Sequence, residues 1–475
     1  MSKIISMRGF LTSSIGVTCA TALALPLTLP AATASAATAP PTAANASTAV
    51  TAIPGSTRSL PLAPLTDRRV LGIAPLQGLY RPDGEHFSLL GVVWTDPDTE
   101  LHGRVQVRTR SATTGEWSGW QDIETHNADH GPDPGAAESA ARGVRGATAP
   151  LWVGDAKGLD IRVRADDADP GGARTGGPGP SRPAKPSHPA RPAKPPLPAG
   201  LRLELVDPGK EAPSEGAPAD TPRTGLDTDT DAAQAAQAAN TDIARFGALA
   251  IPALGKRATE RELVRLRGHV KGKPHIGPRP RIVTRRGWGA DETLRYGGFA
   301  YTKKVKAVFV HHTASGNKYS CSQAPSVIRS IYRYHVTSMG WRDIGYNFLV
   351  DKCGTIYEGR AGGVTKAVLG AHTLGFNNNS MGIAVIGTYG TTKPSGAAVK
   401  AIARLTAWKL GLYGVNPRGK TYLTSAGGNR YAKGKKVRLN VISGHRDGFA
   451  TECPGKRLYA KLGTARSGAA RYQGR

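Results

Sequence analysis

The sequence predicts an α/β protein: a mixed β-sheet flanked by helices in the C-terminal part, preceded by a small all-β, sandwich-like domain and by disordered linkers. Three observations predict it. Residues 60–165 carry short runs of period-two alternation separated by turn residues. Residues 280–465 alternate strand-like and helix-like patterns, the order of a sheet with helices packed on it. The intervening Pro-, Gly- and Ala-rich stretches lack the large apolar residues that a core requires.

Taken in order, residues 1–36 read as an export signal. Lys3 and Arg8 precede the uncharged run Phe10–Leu29, and Ala34-Ser35-Ala36 supplies a small-x-small cleavage site. A membrane anchor is the alternative, but Pro26 and Pro30 interrupt the run. Cys19 suggests a lipoprotein, yet Gly16-Val17-Thr18 fits a lipobox poorly. The expectation is a secreted protein, extracellular or wall-associated, with no transmembrane segment in its mature form. Residues 37–59 are Ala/Thr/Pro-rich and read as disordered.

The all-β domain is placed at 60–206. Phe87–Trp94 and Gly103–Arg110 read as strands, Trp117-Ser118-Gly119-Trp120 follows a turn, and Leu151–Val153 and Leu159–Arg164 read as two more strands. A disordered insertion near 166–200 separates them from a last strand, Leu201–Val206. No catalytic constellation stands out in this domain. Residues 207–279 read as a linker with one Ala-rich helix near 231–250. The second domain is placed at 280–465, with strands at Val305–Val310, Gly345–Val350 and Met381–Ile386 and helices at Ser326–His335 and Ala397–Leu410. Residues 466–475 read as a tail.

Net charge is +28, and its distribution narrows the partner. From Arg281 onward there are 32 Lys or Arg against 7 Asp or Glu, a net of +25. Such a field favours a polyanion. The export signal and the absence of any nucleic-acid motif exclude a specific nucleic-acid partner, and leave the anionic polymers of a bacterial wall. Charge that only keeps the protein soluble is the plainer alternative.

Three side chains carry chemistry. His311 follows the strand Val305–Val310; His445 and Cys453 lie eight apart in Ser443-Gly444-His445-Arg446-Asp447-Gly448-Phe449-Ala450-Thr451-Glu452-Cys453-Pro454-Gly455. Imidazole and thiolate are preferred Zn²⁺ ligands, and three protein ligands with an open position form a catalytic arrangement. His312 is not assigned to metal, because neighbouring strand residues face opposite ways.

From Arg281 to about Leu462 the sequence resembles the zinc-dependent N-acetylmuramoyl-L-alanine amidases (type 2), a family that includes peptidoglycan recognition proteins and actinobacterial secreted enzymes. The resemblance is carried by Ile282–Ala290, His311-His312-Thr313-Ala314, Gly340–Val350, Ile356–Arg360, Gly370-Ala371-His372-Thr373, Asn379–Ala384 and Gly444–Gly455, in family order. It implies that zinc sits on His311, His445 and Cys453, and that water activated there cleaves the amide between N-acetylmuramic acid and L-alanine in peptidoglycan. Members that only bind peptidoglycan typically lose the cysteine, which this chain keeps; a non-catalytic binding protein of the same fold is the alternative. Tyr346 and Thr451 take the positions of the family's catalytic tyrosine and its partner. Glu358 is a candidate base, with a structural turn the preferred reading. His372 and Arg360 are expected to contact substrate, although a structural loop role is nearly as well supported for His372. With Cys453 on the metal, Cys321 and Cys353 remain, and a disulfide between them is expected to pin a helix to the sheet. The sequence departs from the family's common Gly-Trp pair at Ala361-Gly362-Gly363. The all-β segment is expected to position the enzyme on the wall, and the protein to act as a monomer.

Overall fold

Alternation of buried and exposed residues builds the first sheet, and its long strand organises it. The structure is a computed structural model that describes residues 55–65, 76–141, 143–166, 197–209, 230–268 and 272–475. The expected export signal and most of the expected disordered segments lie outside those residues. Leu151–Ala165 is one continuous strand rather than two. Its first part pairs antiparallel with Phe87–Trp94; its second lies between Leu76–Arg81 and Gly103–Ser111. Phe87–Trp94 pairs in turn with Arg202–Asp207, so the chain after the insertion completes the sheet. Ser56–Pro61 is an edge strand on Arg202–Asp207, which corrects the reading of 56–59 as disordered. Val105, Val107, Ile161, Val163 and Leu203 fill the core of this domain and are fully buried.

The C-terminal domain is a mixed sheet of seven strands in the order Ala250–Ile251, Ile282–Val283, Ile356–Glu358, Phe348–Val350, Ser380–Val385, Ala307–His312, Ile442–Gly444. Ala307–His312 is buried along its whole length and runs parallel to both neighbours. Strands buried on both faces read as continuous apolar runs, as Ala307-Val308-Phe309-Val310 does. On one face Gly396–Gly411 and Leu462–Gln473 pack; on the other, Ala324–Arg333. In Ala324–Arg333, Val327, Ile328 and Ile331 recur at helical spacing and are fully buried.

Two segments read as a linker and a tail belong to this domain, and the Ala-rich helix expected near 231–250 is present at Asp231–Ala238. Within 207–279, Asp231–Ala238 and Lys256–Arg267 are helices and Ala250–Ile251 is a strand of the sheet. Their anchors are few: Ala233 and Ala236 on the first helix, Leu263 on the second, and Ile251 and Ile276 beside them. The tail is a helix whose Ala465, Ala469 and Ala470 are buried. Small apolar residues let backbones approach closely yet contribute little hydrophobic contrast, so such segments resemble linkers in sequence.

The two domains share a core. Leu89, Val93, Trp152 and Val206 of the β-domain pack in one cluster with Val327, Ile331 and Tyr334. The Tyr334 hydroxyl donates to the Thr148 carbonyl at 3.1 Å. At Gly340, φ +75°, an added Cβ would stand 2.3 Å from the Gly143 carbonyl oxygen, so only glycine allows this approach. Burying each large apolar side chain contributes roughly 1.5–3 kcal/mol, which makes this docking comparable to a domain interior.

Candidate metal centre

The parallel pairing of Ala307–His312 with Ile442–Gly444 sets Val310 opposite Gly444, so His311 and His445 emerge together at the carboxyl ends of adjacent strands. The carboxyl ends of parallel strands are where ligand sites form in open α/β sheets. Cys453 is brought back by a tight return: Arg446 N donates to the Cys453 carbonyl at 3.0 Å, and Cys453 N donates to Thr451 Oγ1 at 3.1 Å. Asp447 fixes the turn, accepting from Gly444 N at 2.9 Å and from the Tyr459 hydroxyl at 2.6 Å.

His311 Nδ1 stands 3.1 Å from His445 Nδ1 and 3.8 Å from Cys453 Sγ. Donors bound to one zinc at 2.0–2.3 Å in a tetrahedron stand roughly 3.3–3.8 Å apart, so these separations fit a shared ion. The donor chemistry fits as well. Burial lowers the pKa of His311 and takes that of His445 down to about 3, leaving both imidazoles neutral and free to donate a lone pair. Burial pushes the Cys453 thiol well above its ordinary value, so its thiolate needs a cation beside it.

A fourth donor comes from the other domain. Ligand atoms of His130, His311, His445 and Cys453 all lie within 4.8 Å of one another. His130 Nε2 is 3.9 Å from Cys453 Sγ, and its ring lies edge-on to His445 with centroids 4.6 Å apart. Its Nδ1 meets Asp129 Oδ1 at 2.8 Å, a carboxylate–histidine pair of the kind that orients metal ligands. The reading that no chemical constellation stands out in the β-domain is therefore corrected. The only local signal was Asp129-His130 in a loop that, from Glu124 to Ala141, already exceeds the roughly 12–15 residues usual for structureless loops.

Tyr346 is buried beside the donors, its ring 5.6 Å from that of His311 and 5.8 Å from that of His130. Thr451 lines a cavity of about 630 Å³ that also reaches Cys453, His312 and Arg446. Of the two residues expected to contact substrate, His372 is sealed from open space and Arg360 is largely buried at the edge of a cavity of about 170 Å³. His372 is fully buried; its Nδ1 meets His311 Nε2 at 3.2 Å, and its own Nε2 meets Ser380 Oγ at 3.3 Å. It holds the ring of His311 from behind. Gly382 leaves room for it, since a Cβ there would stand 2.4 Å from His372 Cγ. Arg360 is buried in a two-pronged pair with Glu138 of the β-domain, both N–O distances 2.8 Å. A lone polar residue in a motif does not reveal whether it faces the groove or the layer behind it. Glu358 accepts from Asn240 Nδ2 at 2.9 and 3.0 Å and from Arg285 N at 3.3 Å, a structural role. Cys321 and Cys353 form a disulfide.

Residues 301–456 match the family described as N-acetylmuramoyl-L-alanine amidase, and residues 36–193 the family described as Rv3811 N-terminal galactose-binding domain-like. Peptidoglycan-recognition protein SC2 of Drosophila simulans is 31% identical over 185 residues, covering 38% of this chain and 85% of that protein. Wild-type Drosophila PGRP-LB is a similar solved structure, 28% identical, covering 38% of this chain and 92% of that one, with a TM-score of 0.30. The endolysin N-acetylmuramoyl-L-alanine amidase LysCS from Clostridium intestinale URNW is 22% identical, covers 39% and 95%, and has a TM-score of 0.28.

Proposed function

Because the chain belongs to the family of N-acetylmuramoyl-L-alanine amidases and peptidoglycan-recognition proteins, we propose that it hydrolyses the amide between N-acetylmuramic acid and L-alanine in bacterial peptidoglycan, using zinc held by His311, His445 and Cys453. The convergence of two neutral imidazoles and one thiol at the strand ends carries this reading. When bound, zinc supplies a Lewis acid that makes a water nucleophilic near neutral pH.

The chain's own residues supply the rest. His372 fixes His311 in one tautomer by engaging Nε2, which directs Nδ1 to the centre. The Tyr346 hydroxyl, which burial keeps protonated, orients the attacking water or donates to the oxyanion that develops on the lactyl carbonyl. The Thr451 hydroxyl lies on the cavity side of Cys453 and is the second donor to that oxyanion. Arg446 and Arg430, on the same cavity, attract anionic wall material. We assign the protein's place of action to the exterior of the cell, where peptidoglycan is; no helix among the described residues is long and apolar enough to cross a membrane.

Digestion of purified wall tests this. Mass spectrometry is expected to find intact lactyl-muramic acid and stem peptides with free L-alanine amino termini, with a chelator abolishing both and zinc restoring them. Release of neither product by zinc-loaded protein overturns the assignment. A second reading, peptidoglycan binding without hydrolysis, is favoured by one observation: with His130 in place the centre has four protein donors, the arrangement of structural rather than catalytic zinc sites.

A further inference from the structure

We propose that the segment from Glu124 to Glu138 of the β-domain is an intramolecular occupant of the substrate cleft, with His130 as a removable fourth donor, so that the protein as folded is latent. This rests on the amidase reading of the same centre.

The loop enters the site at several points. His130 takes the position that a catalytic centre leaves open. The carbonyl of the preceding Asp129 accepts from Leu374 N at 3.0 Å and meets His445 Nε2 at 3.1 Å, so the loop also braces the second ring nitrogen of a candidate ligand. Asp129 Oδ2 stands 3.6 Å from His445 Nδ1, so the carboxylate lies beside the candidate ligand as well as on His130. Further along, Asp133 Oδ1 accepts from Gly375 N at 2.8 Å and Asn377 Nδ2 at 2.7 Å. Glu138 then grips Arg360 and accepts from Arg342 N at 3.1 Å.

The character of these contacts suits an occupant that can leave. From Glu124 to Glu138 there are four acidic residues and no Lys or Arg, facing a domain whose sequence from Arg281 onward carries a net charge of +25. The loop thus offers carboxylates to the arginines and backbone donors of a cleft meant for an anionic, carboxylate-bearing stem peptide. Being tethered, it competes at an effective concentration that a short flexible connection sets in the millimolar range. Withdrawal of the part up to Glu138 does not require the domains to part, because the shared core of Leu89, Val93, Trp152 and Val206 lies on the helix Ala324–Arg333, while Gly143, Val144 and Arg145 beyond it stay docked on Gly340, that core and Met339. Once Glu138 leaves, Arg360 is released to the substrate carboxylates.

The test compares three full-length proteins: wild type, His130→Ala, and the double variant Asp133→Ala/Glu138→Ala, which touches no candidate ligand. Each is assayed for zinc retention against a chromophoric chelator, for binding of a soluble muramyl-tripeptide by anisotropy, and for wall hydrolysis. His130→Ala is expected to release zinc roughly tenfold more readily. Both variants are expected to bind the muropeptide at least about tenfold more tightly, as they must when under a tenth of the wild type is open. Unchanged zinc retention together with unchanged muropeptide binding in both folded variants overturns the proposal. Wall hydrolysis by wild type as fast as by the variants also overturns it while leaving the amidase reading intact. Tighter muropeptide binding without hydrolysis in any protein supports the occluding loop and sinks the amidase reading instead.

Discussion

Two regions deliver donors to one centre, and they are built in opposite ways. His311 and His445 stand on the carboxyl ends of paired parallel strands, where the ladder of Val308, Phe309 and Val310 against Ile442, Ser443 and Gly444 fixes their separation. His130 stands on a long loop with no strand or helix beneath it, held by ionic and backbone contacts to Asp129, Asn377 and Arg360. The first pair cannot move without unfolding the sheet. On the proposal above, the third imidazole withdraws with residues 124–138 while the sheet and the docking by Gly143, Val144 and Arg145 persist. The difference teaches that one candidate centre can combine donors fixed by a sheet, its permanent half, with a donor carried on a loop of another domain.

Removing a donor from the permanent half should have the largest effect. Cys453→Ser keeps the return loop, whose Cys453 N and carbonyl are both bonded by backbone or Thr451, but replaces a soft thiolate with a hydroxyl. Zinc measured after gel filtration should fall to background and wall hydrolysis should vanish, with the secondary structure unchanged. Stoichiometric zinc in this variant would mean that the loop histidine and the strand-end pair suffice, and the distinction between the halves would fail.

Next in size is a change to the frame alone. The disulfide Cys321–Cys353 closes a sequence separation of 32 residues, which by chain entropy corresponds to about 3–4 kcal/mol. Cys321→Ala with Cys353→Ala should lower the midpoint of chemical unfolding accordingly and leave zinc retention as it was. A parallel loss of zinc would show that the strand-end donors depend on the bridge for their placement.

The permanent half was also the half legible in the sequence. His311, His445 and Cys453 sit in local patterns tied to the end of an apolar strand, and the period of Val327, Ile328 and Ile331 marks the covering helix. His130 was illegible because nothing around Asn127-Ala128-Asp129-His130 has a period, and its meaning arises only when a loop of one domain meets a sheet of the other. Of residues 231–279 only the Ala-rich helix was legible, and the rest escaped for another reason. Their hold on the core is scattered single residues, Ile243, Ile251, Leu263 and Ile276, with polar anchors such as Asn240 on Glu358 and Asp242 on Thr365. The helix Leu462–Gln473 packs through alanines, whose burial leaves little contrast with its exposed face. Glu138 and Arg360 show the same limit in ion pairs: each charge is visible in the sequence, but not that one neutralises the other across the domain boundary.

The smallest effect falls on the layer behind the permanent donors. His372 touches His311 Nε2 and Ser380 Oγ and is sealed from the cavity, so it acts by positioning. Losing such a partner typically costs about 10–100-fold in metal affinity or activity. His372→Ala should therefore weaken zinc retention in that range and lower kcat on soluble muropeptide, with KM little changed. His372→Gln, whose amide still offers a donor to Ser380 Oγ or His311, should recover part of the loss. A purely structural histidine would lower the unfolding midpoint and leave zinc retention alone. That outcome would move the boundary of the permanent half inward, to the ligands themselves. If instead His372→Ala weakens zinc less once His130 is also removed, the two imidazoles act on the same ring of His311 from opposite sides. The loop would then be part of what holds the ligand in place as well as what covers it.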